Sequence, residues 1–135
     1  MTPDLTQARR HCEAAWPNEG VCAYLRSETG WRFIALENTA DTDPSHPRTA
    51  RTSFSIAPLA WMKLERANQP VWLVHSHVDA PAQLSAWDLE TFTIDGRPLL
   101  PELRLAVLEV RDGKTVTAGC WAFGDGAWEP ITPCL

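Results

Sequence analysis

The stretch Val71-Trp72-Leu73-Val74-His75-Ser76-His77 constrains this chain more than any other. Its four leading apolar residues follow the breaker Gln69-Pro70 and read as a buried strand. Residues two apart on a strand share a face, so His75 and His77 converge on one side while Ser76 points to the other. Seven residues separate His77 from Ser85, and two separate Ser85 from Asp88. Ser-x-x-Asp ahead of Leu89 and Phe92 is a helix start, with Ser85 as the cap and Asp88 in the first turn. Two imidazoles from a strand end and one carboxylate from the next helix make a three-ligand site with an open fourth position. That is the composition of a catalytic zinc centre rather than a closed structural one.

Taken singly, His-x-His and a capping box are ordinary features; their joint spacing is not. It resembles the metal-binding signature of the JAMM (MPN+) metallopeptidase family, with every position of that signature filled, and the likeness runs from about residue 14 to residue 122. The resemblance implies an α/β fold, a single MPN (JAB) domain over residues 1–135, and one zinc ion per chain held by His75, His77 and Asp88. The family carries a glutamate upstream, near the first helix or strand, and Glu19 in Trp16-Pro17-Asn18-Glu19 fits that place. The implied roles are general base for Glu19 and oxyanion donor for Ser85. The implied reaction is hydrolysis of the peptide or isopeptide bond after the C-terminus of a ubiquitin-like protein, in some bacterial members within antiviral operons. A phage tail-assembly peptidase is the alternative setting. A metal-free MPN scaffold is a further reading, but such scaffolds lack ligand residues and this chain lacks none. No histidine follows His77, so the second zinc of some eukaryotic members is not expected.

Composition narrows the rest. At 135 residues the chain suits one domain with a substantial core. Twelve basic against 17 acidic residues, net −5 and without blocks of like charge, give no footprint for nucleic acid or an anionic membrane. No apolar run is long enough for a bilayer span and the N-terminus lacks a signal pattern, so a cytoplasmic location is expected. Cys12, Cys22, Cys120 and Cys134 are scattered without metal-site spacing and read as small buried apolar residues rather than disulfides. Most of the seven tryptophans are expected in the core.

Along the chain, residues 3–15 predict a helix ended by Pro17-Asn18. Residues 20–26 and 31–36 predict a hairpin that places Glu19 at the mouth of its first strand. Residues 38–51 predict a loop in which His46 is a solvated histidine, and residues 52–56 predict a third strand. Pro58 opens a helix to Ala67 with Leu59 and Met62 on its buried side. After the histidine strand, residues 85–94 predict a helix, and residues 103–110 and 115–123 a second hairpin. Trp128 predicts a last short edge. Asp79 reads as a solvated loop acid, and Ser76 is assigned no chemistry. The tally is a mixed sheet of about six strands flanked by three helices.

Overall fold

The computed structural model describes residues 2–132 and 134. Helix α1 (Thr6–Ala15) is followed by a hairpin of β1 (Val21–Ser27) and β2 (Gly30–Leu36). After the long loop come helix α2 (Pro58–Ala67), strand β3 (Val71–Val78) and helix α3 (Ala86–Phe92). A two-residue hairpin, β4 (Thr93–Ile94) with β5 (Arg97–Pro98), leads to β6 (Arg104–Arg111), β7 (Lys114–Gly124) and β8 (Ala127–Pro130). Six strands form one sheet in the order β2-β1-β3-β6-β7-β8. β3 and β6 run parallel and the other neighbours antiparallel, so the sheet is mixed, as expected.

The histidine strand sits inside this sheet because both its faces are apolar. Trp72 and Val74 enter one core, with Leu5, Ala8 and Cys12 of α1. Val71 and Leu73 enter the other, with Leu64 of α2, Phe92 of α3 and Phe54 of the long loop. His75 and His77 continue the second row, and Ser76 the first.

Several expectations are corrected. Residues 52–56 join no sheet. Their main chain is taken instead by Asn38 and Thr39: Asn38 donates to Ser53 O, Ser55 N–H donates to Asn38 Oδ1, and Thr39 N–H donates to Ser55 O. Leu59 and Met62 face outward, 63% and 40% exposed, and α2 packs through Leu64 instead. The α3 helix stops at Phe92, where the chain turns into β4. Of the tryptophans only Trp72 is fully buried; Trp16, Trp31, Trp61, Trp121 and Trp128 pack at the margins of the two cores. Cys12 and Cys22 are buried thiols as expected, but Cys120 and Cys134 are joined in a disulfide. The tail doubles back over β7, with Ile131 N–H on Cys120 O, and this brings the two Cα atoms to 5.1 Å. No helix is long and apolar enough to cross a membrane among the described residues.

Candidate metal centre

β3 delivers both imidazoles to one point. His75 Nε2 lies 3.2 Å from His77 Nε2, and Asp88 closes the group, Oδ1 at 3.3 Å from His75 Nε2 and Oδ2 at 3.1 Å from His77 Nε2. All three residues are buried. The capping box places the carboxylate: Asp88 N–H donates to Ser85 Oγ and Ser85 N–H donates to Asp88 Oδ2, each at 3.0 Å. Helix geometry and ligand geometry are therefore set by the same pair of residues.

The donors fit a metal ion. His77 Nδ1 donates to Pro81 O at 2.8 Å, which fixes the tautomer and leaves the Nε2 lone pair turned toward Asp88 and His75. Two imidazole nitrogens and a carboxylate facing one another need a shared proton or a cation between them. The titration tendencies agree. Burial pushes His75 down, toward the neutral imidazole a metal requires. Burial also opposes charge on His77, but the bonds to Asp88 and Pro81 outweigh it and raise its pKa. Asp88 is buried too, yet the hydrogen bonds from both histidines hold its carboxyl far below the usual range. Phe54 and Phe92 pack on the His75 ring, with centroids at 4.9 and 5.8 Å, and fix its plane.

Glu19 stands beside this trio and outside it. It is 6% exposed, and burial pushes its carboxyl up to about 8, the charge of Asp88 adding to the effect while His77 and Arg48 oppose it. Glu13, the other acid near the helix end, is occupied elsewhere: its Oε2 accepts the Thr115 N–H at 2.8 Å. Ser85 is exposed at the rim and uses a lone pair for the cap, so its single proton stays available.

Other residues around the centre carried no chemical assignment from the sequence. Ser76 does point away from the histidines, as expected, but its Oγ accepts the buried Gly20 N–H at 2.8 Å while its own N–H donates to Gly20 O. A hydroxyl between the two histidines was the available signal. His46 is half-buried rather than solvated: its Nε2 bonds Ser53 Oγ at 2.7 Å and its ring meets the edge of Trp87 at 6.0 Å. Arg48 lies over the same indole at 4.9 Å. Asp79 is exposed as expected and pairs with Arg51 at 3.6 Å. The loop is thus tied down on both sides of the centre. Next to it, a cavity of about 260 Å³ opens between the loop, α2 and α3, lined by Phe54, Ile56, Trp61, Trp87 and Phe92 among others.

A profile described as prokaryotic homologs of the JAB domain matches residues 2–121. The chain belongs to that family. Two solved structures resemble this JAB-domain protein along most of its length. A protein of Salinibacter ruber is 26% identical with a TM-score of 0.53, covering 96% of this chain and 86% of its own. A protein of Desulfitobacterium hafniense is 21% identical with a TM-score of 0.54, covering 94% and 84%, and at that identity the likeness speaks for the fold alone. No curated protein matches the sequence. The His75–His77–Asp88 group, which could hold one metal ion, lies within the residues that match the JAB domain.

Proposed function

We propose that this protein is a zinc-dependent peptidase that hydrolyses the peptide or isopeptide bond following the C-terminus of a ubiquitin-like protein. The observation that carries the reading is the placement of a buried carboxyl, Glu19, beside a convergent His-His-Asp group in a JAB domain. His75, His77 and Asp88 would hold the ion, and two imidazoles with one carboxylate suit zinc. When bound, zinc supplies Lewis acidity, which acidifies water and polarises the scissile carbonyl.

The chain's own residues do the rest. Glu19 accepts the proton of the attacking water and returns it to the leaving amine nitrogen. A carboxylate beside a metal-bound water can take both parts. Ser85 offers its remaining hydroxyl proton to the oxygen that gains charge as the carbonyl becomes tetrahedral. The loop of residues 38–57 and the segment after His77 flank the centre and would clamp an extended substrate tail, with the adjoining cavity receiving an apolar side chain upstream of the scissile bond.

The test uses zinc-loaded protein and a co-encoded ubiquitin-like protein fused through its C-terminus to a reporter, with products identified by intact mass. Cleavage at the junction that is lost on chelation and restored by zinc is expected. Cleavage that survives both chelation and Glu19→Gln would overturn the reading. Failure to cut any such fusion would reject the substrate class.

A further inference from the structure

Glu19 belongs to no strand, yet its main chain is fully engaged. Its N–H donates to Ala50 O at 2.7 Å, and its C=O accepts from Asn38 Nδ2 at 2.8 Å. Both partners lie in the long loop. The next residue is held differently: Gly20 donates to Ser76 Oγ and accepts from Ser76 N–H, so it is fixed to the histidine strand. The chain therefore changes hands between residues 19 and 20, from loop to sheet.

Asn38 is the hub of the loop's side of this junction. Besides Glu19 O, its Nδ2 donates to Ser53 O at 3.0 Å and reaches Ala50 O, the acceptor of the Glu19 N–H, at 3.4 Å, and its Oδ1 accepts the N–H groups of Ala40 and Ser55 at 3.0 and 3.1 Å. Two donors and two lone pairs are the whole capacity of a carboxamide, and all are used. No other residue type of this size presents both kinds of group in one plane. We propose that Asn38 is a positioning residue for the Glu19 carboxyl, and that the loop sets the base's place through it. This rests on the reading of Glu19 as the base. The consequence is that the segment that meets the substrate also sets the aim of the proton-transferring group.

The test compares wild type with Asn38→Asp and Asn38→Ala. The aspartate keeps the acceptor bonds to Ala40 and Ser55 but loses the donors to Glu19 O and Ser53 O, so it remains informative if the alanine variant does not fold. Amide hydrogen exchange is read first, without substrate. Exchange at Glu19 N–H should quicken at least about 10-fold while Gly20 N–H, held by Ser76, stays protected. Equal acceleration at both, or none at Glu19, would overturn the proposal. Zinc content and KM should hold while kcat falls about 10-fold or more, and in a Glu19→Gln background Asn38→Asp should cause no further loss. Additive losses in the double variant would show that Asn38 acts elsewhere. If the wild-type protein cleaves nothing, the functional reading fails and the exchange measurement still decides the placement. If it cleaves and the Asn38 variants keep full kcat, the reading stands and this inference falls.

Discussion

Val21 stands opposite His75 in the antiparallel β1–β3 ladder. Continued two residues beyond the strand, that register sets Gly20 against Ser76 and Glu19 against His77, on the face from which the imidazoles project. The Ser76–Gly20 bonds keep it in place. The strand register thus directs the chain at residue 19 toward the candidate metal centre, the loop's bonds hold it there, and its chemistry can be tested apart from metal binding.

The ligand group comes first. Wild-type protein should carry about one zinc per chain, and His77→Ala or Asp88→Ala should lose it, since two remaining protein ligands bind poorly. Elemental analysis after dialysis gives the stoichiometry, and full occupancy in either variant would remove that residue from the ligand set.

Glu19→Gln keeps the shape of the side chain and should keep the zinc. Turnover should fall by about 10²-fold or more, the lower range for loss of a positioned acid–base group. A zinc-replete variant with normal turnover would sink the base assignment. Glu13 could not replace it, because its carboxylate is committed to Thr115 on β7.

The raised pKa of Glu19 has a stability signature in the metal-free protein. Its folded value, about 8, exceeds the ordinary 4.5, so the folded state holds this proton more tightly than the unfolded state. The stabilisation is complete below pH 4.5 and is lost as pH rises toward 8. Glu19→Gln cannot titrate, so its melting temperature should gain on that of wild type across this window. A constant difference between the two curves would show that burial does not hold the proton.

Ser85→Ala separates two duties of one hydroxyl. Loss of the cap should cost about 1 kcal/mol of stability. Loss of the oxyanion donor should lower kcat by on the order of 10²-fold. Ser85→Thr should recover both. A variant that melts earlier but turns over normally would leave Ser85 as a cap alone.

Gly20 lets α1 approach the sheet. A Cβ there would lie 2.8 Å from the Cys12 Cα, a main-chain atom that cannot swing aside. Gly20→Ala should therefore destabilise by roughly 1–3 kcal/mol, as overpacking does. Chemical denaturation reads it directly, and an unchanged midpoint would show that the helix gives way.

The convergence of the trio was legible because it is local. His75, His77 and Asp88 fall within one strand and the next helix turn, where periodicity and capping fix direction. The sheet was legible for the same reason, since Val71–Val74 and Leu105–Leu108 are apolar on both faces. Residues 52–56 misled because alternation of Phe54 and Ile56 shows which side chains turn inward but not whether the main chain finds a ladder, and Asn38 had already claimed it. Leu59 and Met62 misled because a ten-residue helix at the surface can pack on a narrow stripe around Leu64. Asn38 was invisible: a polar residue at a loop start carries no sign of partners 12 to 19 positions away.

The ligands and the base are drawn from separate parts of the chain, and that division has a consequence for inheritance. A run of 18 residues, 71–88, holds all three candidate ligands, while the proposed proton-transferring carboxyl lies more than fifty residues earlier. Under the proposed roles, a descendant altered in the Glu19 side chain alone would keep the metal-binding group and the main-chain bonds of residue 19 while losing its reaction, ready to be retained as an inert adaptor.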